Sequence, residues 1–153
     1  MKLDIRLLVV EDEKEVRDNY KIALENHPSI QLVAEAESSY EALDILQETS
    51  IDAMILDLEM LNGSGLLLLQ EMQKMDIEMP FIAAVTNIVS KVVYDSIRDM
   101  GVDYICAKSA NDPYHVPLSV IEISAPYRKV SEEPIEIARK INARTKMNAM
   151  GRG

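Results

Sequence analysis

The chain of 153 residues has no tryptophan, one phenylalanine, Phe81, and one cysteine, Cys106. A lone cysteine closes no internal disulfide, so stability must come from an apolar core and the expected location is the reducing cytoplasm. One domain of this size buries roughly 68–70% of the surface its unfolded chain exposes, which makes such staples unnecessary. Long apolar runs are also missing: the longest leucine block is Leu66 to Leu69, far short of the roughly 18 residues of a membrane span. Charged and apolar residues alternate from Lys2 onward, a pattern that does not read as a signal peptide. Positive charge is in deficit, with 16 Lys+Arg against 26 Asp+Glu and a formal net charge of −10. Together with the scarcity of stacking aromatics, that balance argues against nucleic-acid binding by residues 1–126.

What is present is ordinary in amount and uneven in placement. Hydrophobic residues make up 48% and charged residues 27%, which excludes a wholly disordered chain. Residues 1–126 carry 23 acidic and 9 basic side chains, whereas 127–153 carry 3 and 7. The expected organisation is therefore an acidic domain over 1–126 and a basic extension over 127–153. In the extension, Ser131-Glu132-Glu133-Pro134 reads as a helix start. The extension is expected to be a terminal helix or the beginning of a linker or effector region.

Apolar runs alternate with segments of helical period. Ile5 to Val10 reads as a buried strand, and Lys14 to His27 as a helix with Val16, Tyr20, Ala23 and Leu24 inward, stopped by Pro28. Strands are expected at Ile30 to Ala36, Ala53 to Asp57, Pro80 to Val85 and Val102 to Ala107. Helices are expected at about Ser38 to Glu48, Ser64 to Met75, Ser90 to Met100 and residues 113–124. Nearly continuous apolar strands imply a parallel sheet covered on both faces. Ligands of such α/β sheets bind outside the C-terminal strand ends, where the strand order reverses.

The polar outliers stand at those ends: Glu11 and Asp12 after the first strand, Asp57 after the third, Thr86 after the fourth, Lys108 after the fifth. Carboxylates converging there repel by roughly 4 kcal/mol per pair at 4 Å and an effective dielectric of 20. A cation must offset them, and hard oxygen donors suit Mg²⁺. With Lys108 as a fixed charge and Thr86 as a hydroxyl donor, the set suits phosphoryl transfer to a carboxylate. His27 and His115 are distant in sequence, lie near no motif and are expected at the surface.

The ordered motifs Val10-Glu11-Asp12-Glu13, Leu56-Asp57-Leu58-Glu59-Met60, Val85-Thr86 and Lys108 resemble the receiver domain of bacterial two-component response regulators over about residues 5–125. The resemblance implies a flavodoxin-like fold with strand order 2-1-3-4-5, and a phosphoryl group taken from a sensor histidine kinase or phosphotransfer protein. It implies Asp57 as acceptor, and Asp12, Glu11, Asp57 and the backbone carbonyl of Glu59 as Mg²⁺ ligands. Thr86 and Lys108 would bind the phosphoryl group, and Gly65 matches the family's glycine eight residues after the acceptor. Such a domain is a signalling switch that assists its own phosphorylation and dephosphorylation, not a metabolic enzyme. Its last two helices and the intervening strand would form a pairing face, here Lys91, Tyr94, Asp95, Arg98, Asp99 and Tyr104.

Four positions depart from the family pattern. Leu61 and Ser109 replace usual prolines, and Ser109 predicts a different aim for Lys108 because the family's cis bond there would cost about 2.5–4 kcal/mol without proline. Ile105 replaces a usual aromatic, and alternation along a strand keeps Tyr104 from substituting for it. Asn87 replaces a small residue and is expected to crowd the phosphoryl site. Two rival readings follow: a degenerate receiver that binds partners without phosphorylation, and an aspartyl-phosphate phosphatase using Asp57-Leu58-Glu59 as an acid pair.

Overall fold

A computed structural model describes residues 4–61, 64–87 and 90–130. Strands β1 (Ile5–Val10), β2 (Ile30–Ala36), β3 (Ala53–Asp57), β4 (Phe81–Thr86) and β5 (Tyr104–Ala107) alternate with helices α1 (Lys14–Ala23), α2 (Ser39–Glu48), α3 (Gly65–Lys74), α4 (Lys91–Asp99) and α5 (His115–Val130). All strand pairings are parallel, in the order β2-β1-β3-β4-β5. No helix of the described residues is long and apolar enough to cross a membrane.

The strands read as unbroken apolar runs because each feeds two cores at once. Leu8, Val10, Met54, Leu56, Ile82 and Ala84 point to one side, against Ala42 and Leu46 of α2, Leu68, Leu69 and Met72 of α3, and Ile97 of α4. Their neighbours Leu7, Val9, Ala53, Ile55, Phe81 and Ala83 point to the other, against Tyr20 and Ala23 of α1 and Leu118, Ile121 and Ala125 of α5. The period of two along a strand thus sorts successive residues between the layers. Burying each large aliphatic side chain contributes about 1.5–3 kcal/mol relative to exposure.

Helix ends follow local chemistry. Ser38, Ser64 and Ser90 accept the N–H groups of Glu41, Leu67 and Val93 through their hydroxyls, capping α2, α3 and α4. The first helix stops earlier than its pattern suggests. After Ala23 the chain tightens into a 3-10 turn, Leu24–Asn26, because His27 precedes Pro28 and is disfavoured in helical geometry. β5 is shorter than expected at its start, since the Asp103 carboxylate rather than a backbone carbonyl accepts the Ile82 N–H at 2.9 Å.

The last helix is longer than expected at its C-terminal end. It starts after Asp112, whose Oδ1 accepts the His115 N–H at 3.3 Å and whose φ of 58° is one that Asp tolerates. Pro117 falls in the first turn, where its missing N–H has no helical partner to lose. α5 then continues past Pro126 to Val130, so the change from acidic to basic sequence falls within a helix. The extension's expected helix start at Ser131 to Pro134 lies outside the described residues.

His27 and His115 are not independent surface residues. His27 is buried, pairs with Glu122 of α5, and its Nε2 lies 3.0 Å from His115 Nδ1. Ser29 donates to the same Glu122 at 3.1 Å. The turn that follows α1 lies against α5 and brings these positions together, a proximity that has no counterpart in chain order.

Two outcomes follow from this packing. A Cβ at Gly65 would lie 2.7 Å from the Asp57 carbonyl oxygen and 2.9 Å from Leu58 Cα. Gly65→Ala should therefore lower stability by about 1–3 kcal/mol in urea unfolding; an unchanged midpoint would refute the close approach. Burial pushes the Cys106 thiol above its ordinary range, only partly opposed by the Tyr104 hydroxyl. A thiol reagent should label Cys106 slowly in the folded protein and rapidly once denaturant unfolds it.

Candidate functional site

β1 and β3 lie side by side with Val10 opposite Leu56, so Glu11 and Asp57 leave the sheet as neighbours. From β1 the chain runs to β2 on one side, then returns to β3 on the other. This reversal opens a crevice at the C-terminal strand ends. Glu11 and Asp57 are buried within it, at 6% and 2% exposure, and Asp12 is half-buried. One carboxylate oxygen from each of the three lies within 4.8 Å of the others.

Burial, reinforced by the adjacent Asp57 carboxylate, pushes Glu11 up to about 8, against the opposing pull of the Glu13 N–H, which donates to Glu11 Oε1 at 3.1 Å. Three hard oxygen donors this close fit a divalent cation of the Mg²⁺ class, which is held by few carboxylates and keeps waters for a phosphate to replace. Asp12 is oriented by the Leu61 N–H, which donates to its Oδ2 at 3.0 Å.

The opposite wall is positive and donor-rich. Asp57 lies beside Val85 and Thr86 beside Ala107, and the Lys108 N–H donates to the Thr86 carbonyl at 3.1 Å. Thus the ends of β3, β4 and β5 form one continuous rim. Lys108 Nζ reaches Asp57 Oδ1 at 2.8 Å and Glu59 Oε2 at 3.3 Å. Burial works against the Lys108 charge, but the Asp57 and Glu59 carboxylates outweigh it and hold the ammonium above its ordinary range. Thr86 is buried, and its hydroxyl donates to Glu59 Oε1 at 2.7 Å.

The structure therefore gathers Glu11, Asp12, Asp57, Glu59, Thr86 and Lys108 on one rim. The changed aim expected for Lys108 is not observed: it reaches Asp57 although every described peptide bond is trans. Asn87 does not crowd the site either, being exposed and contributing its backbone N–H to Glu59 Oε1 at 2.6 Å. Tyr104 and Ile105 pack against opposite cores, as alternation requires.

Two contributions have little signal in the sequence. One is the Glu59 side chain, which accepts from Thr86, Asn87 and Lys108 at once. The only signal was an acid two residues after Asp57, within reach of the same rim. The other is Arg17, buried behind the crevice, where it donates to the Glu11 carbonyl at 2.8 Å and pairs with Glu35 and Glu37 at 3.5 and 3.2 Å. Its signal was a charged residue three positions before inward-facing Tyr20.

Known proteins resemble this chain in sequence and in fold. The family model for the response regulator receiver domain matches residues 7–114. A protein-glutamate methylesterase/protein-glutamine glutaminase of Treponema denticola is 27% identical over 111 residues, covering 71% of this chain and 30% of that protein. The nitrate/nitrite response regulator protein NarP of Escherichia coli K12 is 30% identical over 130 residues, covering 85% of this chain and 59% of its own length. The chain thus spans under a third of the methylesterase's length and somewhat more than half of NarP's. Among solved structures, a LuxR-family response regulator from Aurantimonas sp. SI85-9A1 superposes with a TM-score of 0.70 at 24% identity, over 80% of this chain and 86% of that one. A CheY-like receiver domain protein from Methanospirillum hungatei JF-1 gives 0.68 at 20% identity, over 82% and 97%. These two likenesses concern the fold, but the family model runs from within β1 to the threshold of α5, through every strand end that builds the crevice. With that match and the order β2-β1-β3-β4-β5, the chain belongs to the receiver domain family of two-component response regulators.

Proposed function

We propose that Asp57 is the phosphoryl acceptor of this receiver domain and that its modification switches the surface presented to downstream partners. The observation that carries this reading is the convergence on one buried carboxylate of two further acids, an ammonium and a hydroxyl-bearing strand end. An Asp57 oxygen attacks the phosphorus of a phosphohistidine on a sensor kinase or phosphotransfer protein. The N–P bond breaks, its electron pair stays on the imidazole nitrogen, and an aspartyl phosphate forms. Hydrolysis by water returns Asp57 and releases inorganic phosphate.

Glu11, Asp12, Asp57 and the Glu59 backbone carbonyl would hold Mg²⁺. When bound, Mg²⁺ supplies positive charge to the transferring phosphoryl oxygens. Lys108 and Thr86 stabilise the remaining charge, and the added charge of about −1.5 to −2 rearranges their side of the rim. In this reading the unit assists its own phosphorylation and does not act as a metabolic enzyme. It occupies residues 1–126 and works in the cytoplasm, with 127–153 as a basic extension.

The geometry gives less support to the rivals. A phosphatase would need Glu59 to hand over a proton. Burial favours its neutral form, but the Thr86 hydroxyl, the Asn87 N–H and Lys108 prevail and hold it below the usual carboxylate range. An interaction module without phosphorylation does not require the Asp57–Lys108 pair, which persists despite Leu61, Ile105 and Ser109.

The pairing face for a second copy is the exposed side of α4 with β5. Lys91, Tyr94, Asp95, Arg98 and Asp99 are exposed there and Tyr104 is half-buried, with the Arg98 guanidinium 6.0 Å from the Tyr94 ring centroid.

Incubated with Mg²⁺ and a small phosphodonor, the wild type should gain one phosphoryl group by intact mass. Asp57→Asn, or chelation of the metal, should abolish the gain. A gain of equal size in Asp57→Asn would show a different acceptor, and continuous turnover of donor would favour the phosphatase. Light scattering of the phosphorylated protein should show a mass increase that Arg98→Glu removes; an unchanged phosphorylation-dependent mass would exclude Arg98 from the pairing face.

A further inference from the structure

The Glu59 side chain meets the rim through both of its oxygens. Oε1 accepts from the Thr86 hydroxyl at 2.7 Å and from the Asn87 backbone N–H at 2.6 Å, while Oε2 accepts from the Lys108 ammonium at 3.3 Å. A hydroxyl, a backbone N–H and an ammonium, arranged around one anion, are also the donors that a phosphoryl group on Asp57 would need. Lys108 links the two positions directly, lying 2.8 Å from Asp57 Oδ1 and 3.3 Å from Glu59 Oε2.

We propose that the Glu59 carboxylate is an internal stand-in for the phosphoryl group, holding Thr86, the Asn87 N–H and Lys108 in place before modification and competing with the incoming phosphoryl oxygens for them. The inference rests on Asp57 being the acceptor and adds what sets the threshold for its modification. The Thr86 hydroxyl and the Asn87 N–H each offer a single hydrogen, so a phosphoryl group can take them only by displacing Glu59. A carboxylate two residues from the acceptor must swing away before phosphoryl oxygens take its place, and until then its charge repels them.

The side chain has somewhere to go. It is 28% exposed, while its backbone N–H stays tied to Asp57 Oδ1 at 2.9 Å. The motion is a side-chain rotation towards solvent, leaving the strand end in place. Glu59 is thus a positioning residue: in the resting domain it orders Thr86 and Lys108, and its departure frees them.

The test compares the wild type, Asp57→Asn, Glu59→Gln and Glu59→Ala at saturating Mg²⁺ with acetyl phosphate as donor. Initial phosphorylation should rise in both Glu59 variants, by about threefold to tenfold for loss of a charge-assisted set of hydrogen bonds, and at least as much in Glu59→Ala as in Glu59→Gln. Rates within threefold of the wild type, or slower, would overturn the stand-in while leaving Asp57 as acceptor. If neither the wild type nor the variants gain a phosphoryl group that Asp57→Asn prevents, the acceptor assignment falls and this inference falls with it.

A second readout needs neither metal nor phosphate. In the unmodified protein, amide hydrogen exchange at Asn87 should be faster in Glu59→Ala than in the wild type, with the amide of Leu7 in the core as an unchanged reference. Equal exchange at Asn87 would mean that the contact does not form in solution, and the proposal would be wrong.

Discussion

A nearly fully buried carboxylate at the end of β3 is the constraint on which the rest of the site depends. Asp57 cannot keep its charge away from water without compensation, and the surrounding elements supply it from different directions. Lys108 approaches from the end of β5, and the Glu59 N–H donates from the next turn of chain. Opposite them stand Glu11 and Asp12, whose carboxyl oxygens turn that half of the crevice into a place for a cation. The site is consequently divided, with an acid wall on the β1 side and a donor wall on the β4 and β5 side. Asp57 sits on the boundary between them, where in the proposed role one oxygen would serve a metal and another receive a phosphoryl group.

This division needs a rigid frame. Asp57 is carried on a strand whose inward residues all lie in one or other core, and Gly65 at the start of α3 lets that helix approach the backbone at Asp57 and Leu58. Behind the acid wall, buried Arg17 ties α1 to the Glu11 carbonyl and to the carboxylates of Glu35 and Glu37 around the end of β2. Side chains on the rim can therefore rearrange while the strand ends stay fixed, which is the mechanical requirement of a switch. Glu59 meets that requirement most directly, with its backbone anchored to Asp57 and its carboxylate partly open to solvent.

Much of this was legible in the residues. The period of two within apolar strands, the serine caps and the proline stops marked nearly every element, because these are local effects decided within a few residues. The five polar positions stood out because each interrupted an apolar run at its end. Errors came where distant chain decided the outcome. β5 gave its first rung to the Asp103 side chain, and α5 ran on through Pro126 with Ala125 still packed in the core beneath the sheet. His27 and His115, 88 positions apart, became neighbours because the turn after α1 lies against α5.

By itself the sequence determined the class of fold and the chemical types on offer: a parallel sheet buried on both faces, with acids, a hydroxyl and a lysine at its strand ends. Hydrophobic periodicity and the placement of polar residues carry that much, since they act through local geometry. Only the tertiary structure decided which of these groups meet. The strand reversal between β2 and β3 brought Glu11 beside Asp57, and the register of β4 with β5 brought Lys108 to both Asp57 and Glu59. Spacing along the chain could not show that the Glu59 carboxylate holds three donors at once, because those donors arrive on different strands and are selected by distance in space.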